Sequence, residues 1–274
     1  MKALIIGGGI AGLATTISLR RAGWEVLTEE RSLHTEGGIG FIILPNGLDA
    51  LDNLGVGDKI RRSGKMVDKT ILRKKNGEIF KTEEVTNCLA IKRSSCIDSL
   101  KDLIPDDCVH TGCEFSHFEY DSSGKVIAAH FKNGVREEAD IFIGADGANS
   151  MVRKIIFPNH VLRQTKIKEL VGFAHAPQIV EQLGTSFIKT HSYDSRLAMG
   201  LVPCGKQEVI WFIQFDSEKG DIDNSSIQSK REFLAKNMVH WPDPIEQVLK
   251  HSDLEKANVW PTRDMDILPS FKIG

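Results

Sequence analysis

Residues 1–31 read MKALIIGGGIAGLATTISLRRAGWEVLTEER, and the order of their parts decides the fold. Ala3 to Ile6 is a short continuous apolar run, as expected for a strand buried on both faces of a parallel sheet. Gly7, Gly9 and Gly12 follow in the spacing G-x-G-x-x-G. Ile10, Leu13, Ala14 and Ile17 then recur at i, i+3, i+4 and i+7, which gives a helix one apolar stripe to lay on that sheet. Gly23 ends the helix, and Trp24 to Thr28 reads as a second strand that delivers Glu29 and Glu30 about 18 residues beyond Gly12.

Each part has a task in holding an adenine dinucleotide. Gly7 permits the tight strand-to-helix turn, Gly9 has no side chain to keep a diphosphate from the backbone, and Gly12 lets helix and strand approach closely. The helix N-terminus offers free N–H groups and a positive dipole end to the phosphates. Glu30, at the end of the second strand, can accept hydrogen bonds from ribose hydroxyls and would repel a ribose phosphate. A G-x-G-x-x-G string alone is also what an ordinary strand-to-helix turn can carry. Here the preceding strand, the following helix, the second strand and the acidic residue all fall in place.

Composition removes several classes of function. The 274 residues are 41% hydrophobic and 26% charged, ordinary for a globular chain of one large or two modest domains. With 35 basic and 37 acidic residues the net charge is -2, and nothing favours a nucleic-acid or anionic-membrane partner. The five cysteines are scattered, with no C-x-x-C pair, and the nine histidines show no metal-ligand spacing. We therefore expect a reduced, cytoplasmic setting, no metal and no membrane span.

Further along, Gly37, Gly38 and Gly40 suggest a backbone that passes close to another group, and Phe41 to Leu44 reads as a short strand. Pro45-Asn46 opens a helix that turns Leu48, Leu51 and Leu54 inward. In LAIKRSSCIDSLKDLI (residues 89–104) Arg93 stands at the start of a helix, with Ser94 or Ser95 as its cap. In ADIFIGADGANSMVR (139–153) Ile141 to Ile143 reads as a buried strand. Asp146-Gly147 follows at its carboxyl end, where ligands gather in open α/β sheets, and a helix starts near Asn149. Asn76-Gly77, Ser123-Gly124 and Asn133-Gly134 are hairpin signals. From about Ile167 the chain changes to longer strand-like stretches, Glu169–Ala174, Ser186–Tyr193, Arg196–Val202 and Glu208–Phe215, as in a mostly antiparallel second domain. Val209, Trp211, Ile213 and Phe215 alternate onto one of its faces, either as core or as the roof of a cavity.

The fingerprint, the Glu30-Arg31 pair, the G-x-G-(apolar)-x-x-x-P-N segment, Arg93 and the G-A-D-G-x-x-S-x-x-R string together resemble the class A FAD-dependent monooxygenases, the flavoprotein aromatic hydroxylases. The resemblance implies a Rossmann-like FAD-binding α/β domain of the glutathione-reductase type, with a mostly antiparallel β-sheet substrate domain. On that basis the FAD-binding domain takes residues 1–66 and 86–163, the substrate domain takes 67–85 and 164–265, and 266–274 begin a return to the first. Gly7, Gly9, Gly12, Glu30, Arg31, Arg93 and Asp146 are the residues implied to hold FAD. The Asp-Gly motif, with Arg153 in the matching position, is associated in the family with nicotinamide-cofactor binding as well.

The implied activity is hydroxylation of a small aromatic or polycyclic substrate with NAD(P)H and O2. A flavin reductase, dehydrogenase or halogenase on the same scaffold stays open, as does a non-catalytic protein without a competent flavin site. The stretch VWPTRDMDILPSFKIG (259–274) resembles the family segment that leads to a G-D-A-A-H-like motif. That motif is not reached by Gly274, so a fragment of a longer enzyme is the expectation.

Overall fold

In the computed structural model, residues 1–33 and 39–273 are described, so the reading placed on Gly37 and Gly38 lies outside the described residues. The chain opens with β1 (Lys2–Ile6), α1 (Ile10–Arg21) and β2 (Glu25–Glu30). Next come β3 (Gly40–Ile43), α2 (Pro45–Asn53), α3 (Gly57–Ser63), β4 (Lys65–Lys74), β5 (Ile79–Lys92), α4 (Arg93–Lys101) and β6 (Val109–Thr111). A middle stretch holds β7 (Phe115–Tyr120), β8 (Val126–Phe131), β9 (Arg136–Glu138), β10 (Ile141–Gly144) and α5 (Met151–Ile156). The last part holds β11 (Arg163–His175), α6 (Pro177–Leu183), β12 (Ser186–Ser192), β13 (Leu197–Cys204), β14 (Glu208–Asp216), α7 (Ile227–Asn237), α8 (Ile245–Lys250) and β15 (Asn258–Asp264).

The first sheet is parallel, in the order β10-β1-β2-β6. Ala3, Leu4 and Ile5 are fully buried in it, as the unbroken apolar run requires. Helix α1 packs on this sheet through Gly12, Leu13, Thr16 and Ile17. Ile10 and Ala14 are only half-buried, so the buried stripe is rotated from the one read in the apolar pattern. Thr16 can enter it because its hydroxyl is satisfied by the Gly12 carbonyl at 2.9 Å and by Thr28 Oγ1 at 2.6 Å.

Strand β10 departs from expectation. Among the described residues it pairs only with β1 and forms the edge of the sheet, with Ile141 41% exposed. An apolar run signals burial on both faces, but it does not report how many neighbours a strand has. The cap expected at Ser94 or Ser95 is also absent: α4 begins at Arg93, and Lys92 takes the cap position without a side-chain capping hydrogen bond.

The three glycine turns fall where they were read. Gly77 joins β4 to β5, Gly124 joins β7 to β8, and Gly134 joins β8 to β9, each at a positive φ between 84° and 90°. β7, β8 and β9 form a small antiparallel sheet, but β4 and β5 enter the large one. That eight-stranded sheet runs β15-β11-β14-β13-β12-β4-β5-β3. The boundary expected between residues 85 and 86 falls inside β5, whose first part pairs with β4 and whose last residues also pair with β3.

The large sheet has two unlike faces. Val209, Trp211, Ile213 and Phe215 are buried on one face with Leu170, Met199 and Leu201, against residues of α6, α7 and α8. They are core, and the face they occupy is covered by helices. The opposite face carries Val171, Val202 and Ile210, which pack with Ile39, Val67, Cys88 and Ala90, with Phe173, Phe187 and Phe212 alongside. Gly40 marks the contact: a Cβ there would lie 2.6 Å from Ile210 Cδ1. This second face therefore looks toward β3 and the start of α4, where the fingerprint turn lies.

Candidate FAD-binding site

The turn between β1 and α1 is held from three sides. Gly7 adopts φ +112°, and its N–H donates to the Glu29 carbonyl at 2.8 Å. A Cβ on Gly7 would lie 2.5 Å from the Ala145 carbonyl oxygen and 2.9 Å from Asp146 Cα, so the glycine lets the turn touch the end of β10. A Cβ on Gly12 would lie 1.8 Å from the Gly7 carbonyl oxygen. Gly12 thus serves the close approach of helix to turn.

Gly9 is different. It precedes the first residue of α1 with no capping side chain, and among the described residues the one atom within 4 Å of its missing Cβ is Arg93 Nη2 at 3.6 Å. The space in front of the helix N-terminus is therefore bounded by a guanidinium and by first-turn N–H groups that have no intrahelical partners. No acidic residue lies in that first turn. A diphosphate suits this cradle, because the dipole end and the arginine both favour anions and a side chain on residue 9 would fill the room it needs.

Glu30 closes the turn on another side. Its Oε2 accepts the Gly8 N–H at 2.6 Å and its Oε1 accepts the Ser32 N–H at 2.8 Å. Two amides leave further lone pairs on the carboxylate for ribose hydroxyls. Gly8 was passed over in the sequence, since it stands outside the G-x-G-x-x-G positions. A Cβ there would meet Glu30 Cβ at 2.8 Å, so Gly8 is needed to bring the turn onto the carboxylate. Glu29 points elsewhere: it is buried, with its Oε1 3.0 Å from His110 Nδ1.

Arg93 reaches the site because α4 starts where β5 ends, with its backbone N–H bonded to the Ile39 carbonyl at 3.2 Å. Gly7, Gly9, Gly12, Glu30 and Arg93 are thus brought together. Arg31 lies exposed just past β2 and makes no hydrogen bond or ion pair among the described residues. Asp146 sits beside the turn by its backbone, but its carboxylate caps α5. Oδ2 accepts from the Met151 and Val152 amides at 2.6 and 3.1 Å, and Oδ1 from Ser150 Oγ at 2.5 Å. That role was not legible from an Asp-Gly pair, whose usual reading is a turn.

Beyond Asp146 lies a second, cationic pocket of about 280 Å³, lined by Asn149, Arg153, Lys154, His160, Gln164 and Arg263 among others. Arg153 Nη2 donates to the Ala148 carbonyl at 2.8 Å, while its buried Nε has no partner among the described residues. Arg263 Nη1 is held by Asn149 Oδ1 at 2.5 Å. Among the described residues no cluster of His, Cys, Asp or Glu could hold a metal ion, and no helix is long and apolar enough to cross a membrane.

Comparisons with known proteins bear on the family of the chain. Monooxygenase 1 of Arabidopsis thaliana is 31% identical over 252 residues, covering 89% of this chain and 60% of that protein. The chain thus spans about 60% of the length of this curated relative. The 6-hydroxynicotinate 3-monooxygenase of Pseudomonas fluorescens is 24% identical over 284 residues, covering 98% of this chain and 72% of its own. Among solved structures, Klebsiella pneumoniae HpxO in complex with FAD and uric acid superposes with a TM-score of 0.85 at 20% identity, over 97% of this chain and 68% of that one. A model of the FAD binding domain family matches residues 1–266. With that match laid over the turn, the carboxylate and the arginine described above, the chain belongs to the FAD-binding-domain family of the class A flavoprotein monooxygenases.

Proposed function

We propose that the protein is an FAD-dependent monooxygenase that uses NAD(P)H and O2 to hydroxylate a small aromatic or polycyclic compound. The observation that carries this reading is the cradle formed by Gly9, the α1 N-terminus, Arg93 and Glu30 in a chain of this family. When bound, FAD supplies the redox chemistry that couples nicotinamide oxidation to oxygen use. The chain's tasks are to neutralise the diphosphate at α1 and Arg93, to hold the ribose at Glu30, and to keep water from the reacting atoms. The last of these tasks falls to the face of the large sheet that carries Phe173, Phe187 and Phe212, which lies on the same side as the turn.

Curated relatives act on hydroxynicotinate and on 3-amino-4-hydroxybenzoate, and HpxO was solved with uric acid; these small rings support an aromatic substrate. The pocket of Arg153, Lys154 and Arg263 suits the phosphates of the nicotinamide cofactor. Replacing Arg153 or Arg263 with Gln should raise the KM for NAD(P)H by about tenfold or more, the effect of one lost charge-assisted hydrogen bond, while leaving the flavin spectrum unchanged. The activity itself is tested by labelling. With ¹⁸O₂ and a panel of aromatic acids, one labelled oxygen should enter the product for each NAD(P)H consumed. NAD(P)H oxidation with no incorporation for any substrate would favour a reductase.

A further inference from the structure

At the end of the large sheet remote from the dinucleotide turn, a cavity of about 420 Å³ lies between three loops. β4 and β12 run parallel, with Lys74 in register with His191, so both strands end at the same edge. The Lys75 N–H donates to the His191 carbonyl at 2.8 Å and ties the two following turns together. Beneath them Arg73 is buried, donating from Nε to Thr190 Oγ1 and from Nη1 to the Asp243 carbonyl, both at 2.7 Å. The second bond holds the loop between α7 and α8, with His240, against this edge. Strand β5 runs from here to Arg93, a length of roughly 40 Å at the rise of an extended strand, so the cavity is no part of the cofactor cradle.

Its walls carry side chains that no protein group answers. Lys74 Nζ is paired with Glu78 Oε1 at 2.8 Å. The Lys75 ammonium instead lies 5.7 Å from the centroid of the Trp241 ring and has no carboxylate partner among the described residues. Asn76 Oδ1 accepts the Glu78 N–H at 3.0 Å, which leaves the Nδ2 donors unused among the described residues. The His240 ring and the Asp194 carboxylate likewise have no hydrogen bond or ion pair there. His191 and Tyr193 stack with 6.0 Å between ring centroids and 16° between planes, and Phe80 meets His191 edge-on at 6.0 Å. Burial, and after it Lys189, hold His191 below the ordinary histidine range, so it serves as a neutral ring at neutral pH. Tyr193 is 66% exposed and keeps surface for a further planar partner.

These groups discriminate among ligand classes. A bare oxyanion would meet Asp194 as well as Lys75 and leave the aromatic pair unused, and a neutral planar compound would leave the ammonium unanswered. A ligand that joins a phosphate, ring hydroxyls and a planar base satisfies every one of them. We propose that this cavity binds a nucleoside monophosphate, with the phosphate at Lys75, Asn76 and His240, the ribose hydroxyls donating to Asp194, and the base stacked on Tyr193. The volume falls in the range of sites that enclose small ligands. This site is separate from the pocket of Arg153 and Arg263 and goes beyond the monooxygenase reading.

The test is a calorimetric titration of the chain saturated with FAD, with AMP, adenosine and inorganic phosphate as separate probes. The wild type should bind AMP about tenfold more tightly than either adenosine or phosphate, or ~1.4 kcal/mol. Lys75→Met should bring AMP down to the level of adenosine, and Lys75→Arg should keep the difference. Tyr193→Ala should weaken AMP and adenosine alike, and circular dichroism on each variant separates a lost contact from a lost fold. Arg153→Gln, in the other cationic pocket, should bind AMP as the wild type does. Phosphate that binds as well as AMP, AMP that binds no better than adenosine or not at all, or an AMP affinity that falls in Arg153→Gln but survives Lys75→Met overturns the proposal.

Discussion

Gly9 and Gly12 belong to one fingerprint but meet different physical demands. A side chain at residue 12 would press on the Gly7 carbonyl, which is backbone and cannot turn aside, whereas at residue 9 it would enter open space before Arg93. Gly12→Ala should therefore destabilise the fold by about 3 kcal/mol, the upper part of the range for overpacking. Gly9→Val should cost only about 1 kcal/mol, a poor cap exchanged for glycine, yet abolish FAD binding. Urea unfolding and flavin absorbance on the two variants check the pair of outcomes. The cysteines give a second residue-scale prediction. All five are free and buried. Burial pushes the Cys96 thiol up to about 11, burial and then Glu29 push Cys113 to about 11, and burial pushes Cys204 to about 12. Raised values mean that folding favours the neutral thiol, so this contribution to stability is full below the ordinary value of 9.0 and is lost as pH climbs toward 11. At pH 8 only about one thiol in a thousand is ionised for such a group. Ellman's reagent should accordingly react with these three cysteines only after denaturation.

At the scale of elements, what the sequence made legible was local. The β1-α1-β2 unit and the three glycine hairpins depend on residues within a few positions of one another, and they appear where read. Strand order is set by pairing across the chain, and periodicity does not carry it. Hence β10 could be read as a strand but not as an edge, and β4 could be read as half a hairpin but not as the parallel partner of β12. Capping also resisted reading, because it needs the direction of a side chain. Ser94 and Ser95 look like caps and are not, while Asp146, read as a cofactor residue, accepts the first two amides of α5 on Oδ2 and the Ser150 hydroxyl on Oδ1. Asp146→Ala should lower stability by about 1–2 kcal/mol even without cofactor, and Asp146→Asn should restore part of it. Thermal unfolding of the apoprotein measures this loss apart from any effect on FAD.

For the whole molecule, the central feature is that one sheet has a covered face and a facing one. The helices α6, α7 and α8 seal the side of Trp211 and Phe215, and the side of Phe187, Lys189 and Phe212 is left toward the dinucleotide turn. Alternation along β14 showed that two faces exist; which of them meets the turn depends on Gly40 lying against Ile210, a contact between segments about 170 residues apart, beyond any local pattern. The fingerprint, Glu30 and Arg93 were read as cofactor residues, and the geometry brings them into one cradle with Gly8 added. The most direct test of that cradle is the visible spectrum of the chain after incubation with FAD and gel filtration, for wild type and Gly9→Val. The account predicts a protein-bound flavin band near roughly 450 nm for the wild type and its loss in the variant. A wild-type chain that elutes without the band, or a Gly9→Val chain that retains it, would contradict the account.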